Sequence, residues 1–182
     1  MIVAGRVIQP WEEGVDLSGD TGFRFAGLHG AWIREFIGAN FSVRRSTAVA
    51  LGGFDENFVR VAYRFEAEFA YRFCASGRRV WFEPTACVHH LKDASGGTRT
   101  YGEHLTTLRP DHAVGAYYFA LRTGAWRELF TRPVRSVMTR FHLRHPWWIV
   151  GTLWAELRGL AWALRLRARG SKHLERMESR PL

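Results

Sequence analysis

The sequence predicts an α/β protein, α+β when this stretch is taken alone, followed by a helical, basic, Trp-rich tail. Three observations predict it. Short apolar, β-branched runs alternate with helix-period stretches through the first 110 residues. From Asp111 onward the pattern is helical. The charge also divides there: residues 1–110 hold thirteen Lys/Arg against twelve Asp/Glu, and residues 111–182 hold thirteen against five, so nearly all of the net charge of +9 belongs to the tail. The expected organisation is one domain over 1–110 and a helical, basic, amphipathic tail over 111–182.

Residues 2–8 are apolar enough for a strand, ended at Pro10. The stretch from Gly14 to Gly30 is rich in Gly, Asp and Ser and reads as a long loop, a kind more often functional than idle in a compact domain. A short strand follows within the run from Gly38 to Arg45, then a short helix capped by Ser46 or Thr47 and stopped at Gly52-Gly53, where glycine supplies the left-handed exit. A second helix is expected over 63–76, stopped at Gly77, with Phe65, Phe69 and Phe73 making one buried stripe. Residues 79–83 read as a strand ended by Pro84, and 86–91 as another extended piece. In the tail, 111–123, 125–131 and 134–144 read as short helices broken at Pro133 and Pro146, and 147–169 as one long apolar helix carrying Glu156 and Arg158.

Composition narrows the class. Hydrophobic residues at 47% and charged residues at 24% exclude a wholly disordered chain. Cys74 and Cys87 belong to no C-x-x-C pair, and no Cys/His set has zinc spacing, so two reduced thiols in a cytosolic protein are expected. Met1 leads straight into the first apolar run without a basic segment or a cleavage site. A basic tail seeks phosphate. Its arginines are interleaved with Trp and Leu, which favours an anionic membrane surface over nucleic acid.

Several residues could carry chemistry. Glu66 and Glu68 stand at the start of the second helix, where the dipole holds a carboxylate ionised and able to take a proton from a hydroxyl; acids in a first turn also simply stabilise a helix. His89 and His90 follow a short apolar strand, and alternation lets one of them enter a given site to meet a metal or a phosphate oxygen; a surface histidine is the other reading. Asp55-Glu56 follows Gly52-Gly53-Phe54 as a helix-exit turn. The amides of Ser95-Gly96-Gly97-Thr98 could cradle a phosphate with Arg99 pairing to it.

Order and spacing add to this. The series runs Gly38-x-Asn40-Phe41-Ser42-x-Arg44-Arg45, then Gly52-Gly53-Phe54-Asp55-Glu56-x-Phe58, then Arg64-x-Glu66-x-Glu68-Phe69-x-x-Arg72. Gly77, Phe82-x-Pro84-x-Ala86-x-Val88-x-His90 and Gly96-Gly97 follow. It resembles the second half of family 2 glycosyltransferases, over residues 1 to about 118, and Gly5-Arg6-Val7-x-Gln9-Pro10-Trp11 resembles the strand that opens this half. The resemblance implies a GT-A-like half-domain on the acceptor side, from an enzyme that transfers a sugar from a nucleotide-diphosphate-sugar to an acceptor hydroxyl with inversion, in cell-envelope polysaccharide or glycolipid synthesis. Glu66 stands where the family places its catalytic base; Phe65 replaces the first acid of that family's acid pair. Glu68 matches a recurrent acid two residues on, Asn40 and Asp55 match positions lining the sugar and acceptor cleft, and His90 matches the His near the metal and diphosphate.

The family's D-x-D metal motif does not occur here, and Asp16 and Asp20 do not replace it. The expectation is therefore a donor-binding segment upstream of Ile2, with most ligands for Mg²⁺ or Mn²⁺ in it, and no transfer by this stretch alone. The expected partners are a nucleotide-sugar donor, a sugar or lipid-linked acceptor and an anionic membrane surface, with the protein cytoplasmic and peripheral at the inner face of the cell membrane. The alternative is a non-catalytic, membrane-associated remnant or subunit docking on a separate donor-binding chain.

Overall fold

The computed structural model describes residues 1–19, 22–93 and 100–174. Among them are a four-stranded mixed sheet and six helices, so the chain is of mixed α/β content. It divides into two compact units: one of Met1–Phe54, Phe69–Asp93 and the residues from His173, the other of Asp55–Glu68 and Ala94–Lys172.

The first unit holds the sheet, in the order β2-β4-β1-β3, with β1 at Ile2–Ile8, β2 at Ala31–Ile33, β3 at Phe41–Val43 and β4 at Val80–His89. β1 is central and apolar on both faces, with Ile2, Ala4, Val7 and Ile8 buried. It pairs parallel to β4 and antiparallel to β3, while β2 pairs antiparallel to β4. β2 follows directly on the stretch read as loop; three residues are too few for a period to declare itself.

The two extended pieces expected on either side of Pro84 are one strand. Register runs from Ile2 opposite Val80 to Gly5 opposite Glu83 and resumes with Arg6 opposite Cys87. Residues 84–86 are looped out as a bulge, which keeps a proline without an N–H inside an interior strand. Asn40 closes this irregularity, its Nδ2 donating to the carbonyls of Arg6 at 3.0 Å and Ala86 at 2.8 Å. A Cβ at Gly5 would overlap that amide, so the bulge is built on this glycine.

Helix α1, Arg45–Ala50, ends at Gly52 and Gly53, both left-handed as expected. Arg72 donates to the carbonyls of Leu51 and Gly53 just beyond it. Helix α2 spans Phe65–Ala75. Its aromatic stripe is shared between two cores. Phe69 and Phe73 pack with Ile2, Ala4, Phe36 and Val80 in the first unit, and Phe65 packs in the second.

The second unit is built around α3, Val114–Thr123, whose residues from Val114 to Leu121 are all buried. A helix apolar on every side can only lie inside. Helix α6, Trp148–Ala168, approaches α3 along the small residues Ala155, Gly159 and Ala163, and a Cβ on Gly159 would come within 2.6 Å of Ala113. Within α6, Glu156 is buried and forked onto Arg132 at 2.9 and 3.2 Å. Helix α4, Trp126–Val137, runs straight through Pro133, where two helices were expected, at the loss of one intrahelical hydrogen bond. Helix α5 is Arg140–Arg144. Among the described residues no helix is long and apolar enough to cross a membrane.

Candidate functional site

Within the second unit, the chain enters α2 through an unusual turn. Arg60, Ala62 and Arg64 all have positive φ, 64°, 52° and 71°, a conformation that disfavours side chains bearing Cβ. Three such residues in five persist only where surroundings over-determine them. Here Arg64 Nη1 donates to both carboxylate oxygens of Glu128 at 2.9 and 3.1 Å, and its guanidinium lies 4.0 Å from the centre of the Phe119 ring. Gly115 of α3 lets the Tyr63 backbone come close, since a Cβ there would lie 2.5 Å from the Tyr63 carbonyl oxygen. The turn is thus clamped, and it sets the position of the α2 first turn with its two acids.

Those two acids have different surroundings. Glu66 is half-exposed. Glu68 is 1% exposed, with its carboxylate 3.7 Å from Nη2 of Arg122. Arg122 also stands 3.8 Å from Asp55. Asp55, 2% exposed, has Oδ1 accepting from the backbone N–H groups of Asn57 and Lys172, each at 3.0 Å, and Oδ2 accepting from the Tyr118 hydroxyl at 2.8 Å. Burial, with Asp55 beside it, pushes the Tyr118 hydroxyl up to about 12, so it remains a donor at neutral pH. Asn57 closes the cluster, donating to Tyr118 at 3.0 Å and to the Gly170 carbonyl at 2.7 Å. Asp55 and Glu68 are therefore brought together around Arg122, inside the protein, and Asp55 ties three distant parts of the chain to one another.

In the first unit, His90 lines an open cleft of about 560 Å³ together with Gln9, Trp11, Arg24 and Lys92. The elements explain the placement. β4 pairs with β1 to its end, and the His90 N–H donates to the Ile8 carbonyl at 2.9 Å. That registers His90 beside Gln9, and His90 Nδ1 is 3.0 Å from the Gln9 amide oxygen. An amide oxygen only accepts, so Nδ1 carries the hydrogen and Nε2 keeps its lone pair for a metal or a proton. Lys92 takes the left-handed region, φ 51°, and its ammonium sits 3.7 Å from the centre of the Trp11 ring. His89, on the opposite face, pairs with Glu13 at 3.3 Å. Glu12 also lines the cleft, so its two cations, oriented imidazole and aromatic face stand against one carboxylate, a balance that still suits a phosphate-bearing ligand. Among the described residues no group of three potential metal ligands includes His90.

Of the other sequence candidates, Asn40 is the latch of the β1–β4 bulge, and Arg99 lies outside the described residues, as does the Ser95–Thr98 loop. Arg122 and Tyr118, which organise the buried acids, were not singled out, because they lie in an apolar helix more than fifty residues downstream. Trp11 stood in the opening motif and Lys92 two residues after His90; an aromatic with a lysine flanking a strand-end histidine is the signal that could have found the cleft. Comparison with known protein families, with curated proteins and with solved structures finds no match for this chain.

Proposed function

We propose that this chain is the acceptor-side half of an inverting glycosyltransferase of GT-A type, with Glu66 as general base. The observation that carries the reading is the division of labour in the first turn of α2: Glu68 is buried beside Arg122, while Glu66, two residues earlier, stays accessible to a hydroxyl. On this reading an acceptor hydroxyl gives its proton to Glu66 as its oxygen attacks the anomeric carbon and the bond to the nucleoside diphosphate breaks. Asp55, Tyr118 and Arg122 position the turn from within. In the first unit, the cleft lined by His90, Arg24 and Lys92 is the part of this chain that would suit a diphosphate. His90 would offer Nε2 to Mg²⁺ or Mn²⁺, which would supply positive charge to a diphosphate.

Without a D-x-D motif, the nucleotide affinity of this chain should be low, with a dissociation constant of ~1 mM or weaker, and turnover by it alone is not expected. Binding that weak is visible by NMR. Adding Mn²⁺ with a nucleoside diphosphate should broaden the ring resonances of His90 through paramagnetic relaxation and leave those of His142 sharp. Equal broadening of both, or none at His90, removes the cleft from the reading.

Exposed aromatics of the second unit support an interfacial place on a membrane, which the reading puts at the cytoplasmic face. Trp126, Phe130 and Val134 on α4, and Trp147, Val150, Trp154 and Leu157 at and along α6, are all exposed, Phe130 by 77% and Val150 by 76%. Exposed Trp among arginines suits the headgroup region. In co-sedimentation with vesicles the full chain should bind only when anionic lipid is present, lose binding as salt rises, and fail to bind when Trp147, Trp148 and Trp154 are all Ala. Retention that ignores lipid charge rules the interfacial position out. A non-catalytic membrane-associated subunit is the second reading; it keeps this surface and gives Glu66 no role.

A further inference from the structure

We propose that α6 carries a site for one phosphate-bearing lipid, with the phosphate held by Arg158, Arg165 and Arg169 and the hydrocarbon held between Leu108, Trp147 and Trp154. The proposal rests on the membrane-surface reading and goes beyond it, since a surface needs only scattered charge and apolar area, whereas a site needs them in register.

They are in register. Gly151, Trp154, Arg158, Trp162, Arg165 and Arg169 follow at steps of three and four along α6 and so share one stripe of the helix. Two clefts open on it. The one near the start of the helix is apolar and lined by Leu108, Trp147, Trp148, Val150, Gly151 and Trp154. The other, toward its end, is lined by Arg158, Arg165 and Arg169 with Trp162 and Pro110. Residues 108–110 run alongside both. The Leu108 side chain closes the apolar cleft against Gly151, where a Cβ would come within 2.6 Å of it, and the Leu108 carbonyl accepts from Arg158 Nη1 at 3.3 Å. Arg158 therefore marks the boundary between the two.

Seven residues separate Gly151 from Arg158, about 10 Å at the helical rise, the distance from a headgroup phosphate into the first carbons of its chains. The cationic cleft also has a use for a phosphate. Among the described residues no acid pairs with Arg158, Arg165 or Arg169, whereas Arg60, Arg64, Arg109 and Arg132 of the same unit all meet carboxylates. Guanidinium groups on one stripe with no carboxylate among them match a tetrahedral anion with several acceptor oxygens. The apolar cleft at the other end selects an anion that carries a chain.

The test is calorimetric titration of the full chain with dihexanoyl phosphatidic acid below its micellar concentration, beside inorganic phosphate. Saturable one-to-one binding of the lipid is expected, with inorganic phosphate at least about tenfold weaker. Arg165→Gln with Arg169→Gln should weaken lipid binding at least about tenfold, as loss of charge-assisted bonds does. Arg127→Gln with Arg135→Gln, which removes equal charge from exposed positions on α4, should change it less than about twofold. Trp154→Ala should weaken the lipid and leave inorganic phosphate unchanged. Equal losses in the two double variants, or inorganic phosphate binding as tightly as the lipid, overturn the site. So does the absence of saturable binding while vesicles still retain the protein, an outcome that leaves the membrane-surface reading standing; loss of both lipid and vesicle binding overturns the two together.

Discussion

Asp55→Ala is expected to destabilise the second unit by ~3–5 kcal/mol, the loss that follows when one member of a buried charged network is removed. The carboxylate accepts from the N–H groups of Asn57 and Lys172 and from Tyr118, with Arg122 alongside. Alanine leaves the buried amide of Asn57 and the Tyr118 hydroxyl without their acceptor, each with its own desolvation penalty, and leaves the Arg122 guanidinium with Glu68 as the nearby counter-charge. For a protein of this size the thermal midpoint followed by circular dichroism should fall by roughly 6–20 °C. Asp55→Asn keeps the shape and one acceptor oxygen and should lose about half as much. A midpoint unmoved by Asp55→Ala would mean that this carboxylate serves a ligand and not the fold.

The same residue shows what sequence could and could not reveal. The Gly52-Gly53-Phe54-Asp55 series marks a helix exit, and the exit is there, with both glycines left-handed. That the aspartate is held by partners 63 and 117 residues away is a tertiary fact with no local trace. Asn40 is similar: its short-range setting is a strand entry, while the carbonyls it joins lie 34 and 46 residues off and owe their position to a bulge. Strong periods were legible, as in β1 and in the aromatic stripe of α2. Weak ones were not: β2 is three residues long, and Pro84 and Pro133 read as breaks because a local rule for proline does not know that a bulge, or a helix that gives up one hydrogen bond, will absorb it. His90 was legible as a strand-end histidine, but its tautomer depends on Gln9, set beside it by parallel pairing of β1 and β4.

Glu66→Gln and Glu68→Gln should separate chemistry from structure in a way that neither does alone. In an enzyme in which this half is joined to a donor-binding half, Glu66→Gln is expected to lower turnover by ~10²–10⁴, because the amide keeps the shape of the carboxylate and cannot take the acceptor proton. Its effect on stability should be smaller than that of Glu68→Gln, since the side chain is half-buried where Glu68 is fully buried. Glu68→Gln should do the reverse. Buried beside Arg122, it gives up the charge that faces the guanidinium and should destabilise by ~1–3 kcal/mol, with turnover of the folded fraction falling much less. Both positions share the first turn of α2, so the helix start cannot tell them apart; access does. Turnover measured per folded molecule, with the folded fraction taken from the unfolding curve of the same preparation, reads both effects at once. If Glu68→Gln carries the larger loss in turnover, the base is misassigned. If neither substitution changes turnover, the α2 first turn takes no proton and the base lies elsewhere.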